Sequence, residues 1–211
     1  MLPKPIKKFI EVFSALPSIG PRQAHRLAFY IHSLGKNKIK EIAEAVADLS
    51  NVNVCEQCFF THGAAPNFQD KNSVSIGNKK NNLCQICANP DRDTGVIAII
   101  EKETDLISIE KTKKFNGRYL ILGNLSKDGF LTGEQKRRLN TLKEIATPKK
   151  IKEVIIAFSP TTYGDINADI IAQELAGAAA RITRLGRGIP TGGEIEFADE
   201  ETLGGALAHR S

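Results

Sequence analysis

Val96-Ile97-Ala98-Ile99-Ile100 is an unbroken apolar run, closed by Glu101. A strand with one face in water alternates apolar and polar residues. A run without alternation suits a strand buried on both faces, as in a parallel sheet covered by helices. Downstream, a helical stretch spans 103–112, and a strand is expected at Tyr119–Leu122. A basic amphipathic helix near 133–146, a strand at Val154–Phe158, an Ala-rich helix near 167–180 and a strand at Arg181–Leu185 follow. This alternation predicts an α/β fold with a parallel sheet flanked by helices. The tail adds a predicted strand at Ile195–Phe197 and a short helix at 199–208.

Upstream the rhythm is helical. Ile6, Phe9, Ile10, Phe13 and Leu16 form one stripe; Ala24, Leu27, Ala28, Ile31 and Leu34 a second; Ile39, Ile42, Ala43, Val46 and Leu49 a third. Pro17 and Gly20-Pro21 separate the first two, and Gly35 stops the second. Residues 51–90 are rich in Asn, Lys, Gln and Gly, with so little apolar content that a metal is expected to supply their fold.

Hydrophobic residues make up 41% and charged residues 25% of the 211, a globular mix rather than a disordered one. No apolar run approaches the ~18 residues that span a bilayer. The N-terminal MLPKPIKKFIEVF does not read as a signal peptide, so a cytoplasmic protein is expected. The net charge of +5 is unevenly placed. Residues 1–90 carry 11 Lys and Arg against 6 Asp and Glu, and residues 91–211 carry 18 against 18. A basic N-terminal part points to a polyanionic partner, against the simpler reading of a solvated basic face.

Three motifs carry chemistry. Cys55-x-x-Cys58 and Cys84-x-x-Cys87 contain all four cysteines. Two such turns complete a tetrahedral shell for one structural zinc ion, with no open position. His62 is an alternative ligand nearby. The second motif is Leu16-Pro17-Ser18-Ile19-Gly20-Pro21-Arg22-Gln23-Ala24-His25-Arg26, which reads as a helix-hairpin-helix. Its backbone N–H groups around Gly20 can face a phosphate, and Arg22 and Arg26 lie one helical turn apart. Such contacts hold a nucleic-acid backbone without reading its sequence. Lys7 and Lys8 on the first helix join this DNA-binding set. The third motif is acidic. Glu101 ends the first buried strand, Asp105 follows, and the loop Ser159-Pro160-Thr161-Thr162-Tyr163-Gly164-Asp165 returns Asp165 to the same sheet edge. Together these acids could hold Mg²⁺ for phosphoryl chemistry. The sequence has no P-loop, no dinucleotide fingerprint and no G-x-S-x-G.

In the order of its parts the chain resembles the RecR family of bacterial recombination mediators over essentially its whole length. The matching stretches are LPSIGPRQAHRLAFYI, the two cysteine pairs with CQICANPDRD, VIAIIE, GRYLILGNLSKDG, EVIIAFSPTTYGD and ITRLGRGIPTGGEIEFADEETLGGALAHR. The resemblance implies a helix-hairpin-helix region at 1–52, a four-cysteine zinc finger at 53–90, a Toprim domain at 91–186 and a C-terminal arm at 187–211. It further implies a homo-oligomeric ring, dimer to tetramer, that encircles single- or double-stranded DNA. It implies work with RecO, and sometimes RecF, to help RecA displace single-strand-binding protein. In that alignment Arg22 and Arg26 match the DNA-contacting basic residues. Glu101, Asp105 and Asp165 stand as partner-binding or vestigial Toprim acids. Two departures stand out. Residues 59–83 look like an insertion between the cysteine pairs, and Tyr163 occupies a position where an acid is usual. The second departure favours a non-enzymatic scaffold over a Mg²⁺-dependent nuclease or primase.

Overall fold

The computed structural model describes residues 2–63, 82–146 and 151–208, arranged as two compact units divided after Val52. In the first unit, α1 (Lys4–Phe13), α2 (Pro21–Ser33) and α3 (Lys36–Asp48) follow the three apolar stripes. Their ends have local causes. Pro21 sits in the first turn of α2, where a missing N–H is tolerated, and Gly35 takes a left-handed φ of 84° that breaks the chain between α2 and α3. α1 packs on α2, whose buried residues are the small Ala24 and Ala28.

The second unit opens with a short antiparallel pair, β1 (Asn53–Val54) and β2 (Thr61–His62), and a single helical turn, α4 (Gln85–Ala88). β3 (Asp93–Ile100) then begins the main sheet. α5 (Glu103–Lys111), β4 (Gly117–Ile121), α6 (Gly133–Ala146), β5 (Ile151–Ala157), α7 (Thr162–Glu174) and β6 (Ala179–Arg184) alternate after it, and α8 (Glu200–Ala208) lies near the end. The strands are parallel in the order β4-β3-β5-β6, so the 96–100 run becomes an inner strand. Ile97–Ile100, Leu120–Leu122, Leu139, Val154, Ile171 and Leu175 form its core. Each of the Ile, Leu and Val side chains among them stabilises the fold by roughly 1.5–3 kcal/mol through burial.

Register aligns the carboxyl ends. Ile100 pairs with Ile121 and with Ala157, and Ile156 pairs with Arg184. Residues following β3, β4, β5 and β6 therefore emerge at one edge of the sheet. The helices that start there are capped by their own sequences. Asp105 accepts the Lys102 N–H at 3.1 Å at the start of α5. Thr132 and the buried Gln135 cap α6 reciprocally, at 2.8 and 3.2 Å. Thr161 Oγ1 accepts the Gly164 N–H at 3.1 Å at the start of α7.

At the opposite end of the sheet, Arg92 grips Glu110 through two hydrogen bonds of 2.9 and 2.5 Å, and Tyr119 donates its hydroxyl to the same carboxylate at 2.6 Å. The hydrogen bond from Arg92 holds the Glu110 carboxyl below the usual range, and burial pushes the Tyr119 hydroxyl up. A depressed carboxylate stabilises the fold above its unfolded pKa, and that contribution disappears as pH falls through the folded value. Glu110→Gln is expected to cost roughly 2 kcal/mol at neutral pH. The variant should also lose less stability on acidification below pH ~4 than the parent, as read by urea denaturation.

Three sequence expectations shift. α7 starts at Thr162 rather than 167 and ends at Glu174, because Thr161 caps it and Gly177, at φ 82°, turns the chain. Ala179 and Ala180 enter β6 instead, despite their helix propensity, because pairing with β5 claims this stretch. Ile195–Phe197 is a 3₁₀ turn, not a strand. Its two apolar side chains are exposed and pair with no strand among the described residues.

Candidate functional site

The two cysteine pairs converge. Sγ atoms of Cys55, Cys58, Cys84 and Cys87 all lie within 4.8 Å of one another, and all four residues are buried. Each pair is folded by a backbone turn, Phe59 N–H to the Cys55 carbonyl at 3.0 Å and Ala88 N–H to the Cys84 carbonyl at 2.9 Å. Cys58 and Cys84 Sγ are 3.5 Å apart, close to the ~3.8 Å edge of a zinc tetrathiolate. Hydrogen bonds from Cys58, Cys84 and Cys87 pull the Cys55 thiol far below its usual range, while hydrogen bonding to Cys55 and burial push Cys58 far above it. Four buried thiols this close cannot all ionise without a cation in their midst. The donor set fits a soft divalent metal and leaves no vacant position for substrate. His62 is not in this group; its Nδ1 lies 2.8 Å from the Gly63 carbonyl.

The cysteine knuckle is not a free-standing lobe. Ile121 at the end of β4 donates its N–H to the Cys58 carbonyl at 2.9 Å. Phe59, held at a left-handed φ of 62°, is buried in the core of the sheet. The Arg138 guanidinium covers its ring at 4.9 Å and Arg137 lies at 5.7 Å. Phe60 and Ile86 pack against the same core. The expectation that metal alone supplies this segment's fold is therefore corrected: the knuckle shares the hydrophobic core of the sheet. Residues 64–81 of the expected insertion lie outside the described residues.

In the first unit, the α1–α2 connector forms a shallow hollow of about 860 Å³, lined by residues including Leu16, Ser18, Ile19, Gly20 and Arg22. The Gly20 N–H donates to the Gln23 side chain at 3.4 Å. Arg22 and Arg26 are exposed on one side of α2, and neither has an acidic partner among the described residues. Lys7 is exposed on α1; Lys8 is exposed too and pairs with Glu11 at 3.4 Å. The arrangement offers an N-terminal helical turn and two uncompensated guanidiniums, a fit for phosphate.

At the carboxyl edge of the sheet the acids are dispersed among other tasks. Glu101 is largely buried, with the Lys102 ammonium 3.9 Å away. Asp105 is taken up by capping α5. Asp165 lies in the first turn of α7, ion-paired with Arg184 at 3.4 Å and more closely with Arg187. Among the described residues, the four cysteines are the only group of three or more potential ligands close enough to share a metal. Glu101, Asp105 and Asp165 are not brought together as such a group. Gly164 is required here: a Cβ at that position would lie 2.0 Å from the Ser159 carbonyl oxygen.

Comparison with known proteins accounts for this assembly. A Toprim domain model matches residues 95–186, and a model described as RecR, C-terminal matches 188–211. Recombination protein RecR of Bifidobacterium longum subsp. infantis is 32% identical, over 97% of this chain and 94% of its own length. The proteins of the same name from Chloroflexus aggregans and Roseiflexus castenholzii are 34% and 35% identical, each over 100% of this chain and 95% of its own. The chain belongs to the RecR family. None of its described helices is long and apolar enough to cross a membrane. Sequence reasoning missed Arg184 and Arg187, which engage Asp165. A signal was present in the pairing of Asp165 and Asp169, four residues apart on a helix, with Arg184-x-x-Arg187 after the following strand. It also missed Phe59, whose role in the core of the sheet is visible only once the knuckle docks.

Proposed function

We propose that the chain is a DNA-binding scaffold for recombinational repair, one that acts with RecO, and in some settings RecF, to load RecA at single-strand gaps. The observation that carries this reading is the exposed, acid-free pair Arg22 and Arg26 on the hairpin unit, in a chain of the RecR family. Gly20, Lys7 and Lys8 extend the contact surface, and binding is independent of base sequence because the contacts are to phosphates. A ring of two to four copies multiplies weak contacts through effective concentration. One structural zinc ion, held by Cys55, Cys58, Cys84 and Cys87, ties the knuckle to β4. The work is cytoplasmic, at the nucleoid.

No catalytic step is assigned. Glu101, Asp105 and Asp165 act as partner-facing or structural acids, since Asp105 caps a helix and Asp165 is bound by arginines. With Mg²⁺ present, the chain is expected to leave labelled DNA uncut and unextended. Product formed by the parent but not by Glu101→Gln would overturn this assignment and favour a phosphotransfer enzyme.

The binding reading is tested by fluorescence anisotropy of labelled single- and double-stranded DNA with zinc-loaded protein across a salt series. Affinity is expected to fall linearly in log-log form as salt rises, with a slope set by the number of phosphates contacted. Absence of binding even at low salt would remove DNA as a direct ligand of this chain.

A further inference from the structure

The ion pairs at the carboxyl edge run in a chain across separate elements. Asp169 holds Arg184 at 2.5 Å, Arg184 reaches Asp165 at 3.4 Å, and Arg187 pairs with both Asp165 and Glu201. Asp165 belongs to α7 and Glu201 to α8, so the Arg187 guanidinium joins the sheet layer to the C-terminal arm. Arg187 is only 26% exposed and Asp165 34%, which shields the pair from full solvent screening.

Two further features dock α8 at the same point. A Cβ at Gly205 would meet the Arg187 carbonyl oxygen at 3.1 Å, so the helix lies against the backbone of Arg187 as well as its side chain. Asp199 accepts the Thr202 N–H at 2.8 Å and starts α8 beside that contact. Between arm and sheet lies a groove of about 880 Å³. Ser159, Thr161 and Gly164 line its sheet side, and Asp199, Glu201 and Thr202 its arm side.

We propose that Arg187 and Asp165 form a latch that docks the C-terminal arm on the first turn of α7. The arm is then a two-position element. Closed, it builds the outer wall of the groove; released, it uncovers the Ser159–Gly164 turn. Asp165 serves this latch rather than a cation. The residue that the resemblance marks as a Toprim acid holds a strap. The inference stands on the ion-pair geometry and does not depend on DNA binding.

Hydrogen–deuterium exchange of the full-length chain tests it. Arg187→Ala and Asp165→Asn are each expected to speed exchange of residues 200–208 by about tenfold, while β3 amides keep their protection. The double variant should be less than additive, because the Arg187–Asp165 contact is lost in both single variants. Lys152→Ala breaks a pair with Asp93 at the far end of the sheet and should leave α8 unchanged. Unchanged exchange of 200–208 in Arg187→Ala would overturn the latch. So would additive effects of about a hundredfold in the double variant, or an α8 already unprotected in the parent.

Discussion

Replacing Arg22 and Arg26 together with alanine is expected to weaken binding to both single- and double-stranded DNA by about a hundredfold at moderate salt. The reason is local. Both guanidiniums are exposed on α2 with no acidic partner among the described residues, so their charge is fully available to a phosphate. Each lost phosphate contact releases fewer counterions, and the salt dependence should flatten by about 1.4–1.8 per chain. The fold should survive, because neither side chain is buried and alanine is the better helix former. Circular dichroism and gel filtration check that half of the statement, anisotropy the other. Full affinity in the double variant would move the DNA contact elsewhere on the molecule.

The second large effect concerns the knuckle. Cys58→Ser is expected to abolish a stoichiometry of about one zinc per chain and to lower stability by roughly 5 kcal/mol or more. Two losses combine in this variant. The thiolate set becomes incomplete, and the Cys58 carbonyl that accepts the Ile121 N–H at 2.9 Å is no longer held in place. Phe59 then leaves the core, where it is 8% exposed. The outer edge of β4 is left unpaired, and the variant should aggregate more readily on heating. Metal analysis with denaturant titration decides the matter. A parent chain that purifies without zinc, and a variant as stable as that parent, would remove zinc from the structure.

The sheet was legible because Val96–Ile100 lacks the alternation of a half-exposed strand, and such strands need helices on both faces. The helical stripes of the first unit were legible for the complementary reason, a period that matches one turn. Boundaries were not. Ala179 and Ala180 favour a helix locally, and only the left-handed Gly177 and pairing with β5 make them a strand. Ile195 and Phe197 alternate like a strand but find no edge to join among the described residues. At the sites, the cysteine spacing was legible because two short turns can bring four thiols together, and the four converge. Phe59 was silent, since one aromatic beside a cysteine carries no period. The tasks of the acids were silent for a third reason. Spacing places a carboxylate at an edge but does not reveal the arginine that reaches it, and Arg184 and Arg187 lie 19 and 22 residues beyond Asp165.

The bond between Cys58 and Ile121 also sets an order of events. β3 pairs with β5 across a gap from Ile100 to Ala157, so the inner sheet cannot close until late in synthesis. All four cysteines precede β3 in the chain. A nascent chain thus exposes its complete set of thiols while the strands are still in the ribosome. On the zinc reading, metal can join the two cysteine turns before β4 is made, but the knuckle takes its fixed form only when Phe59 and Ile86 enter the core of the sheet. The outer edge of β4 then stands open to other chains until metal capture and core packing have both taken place.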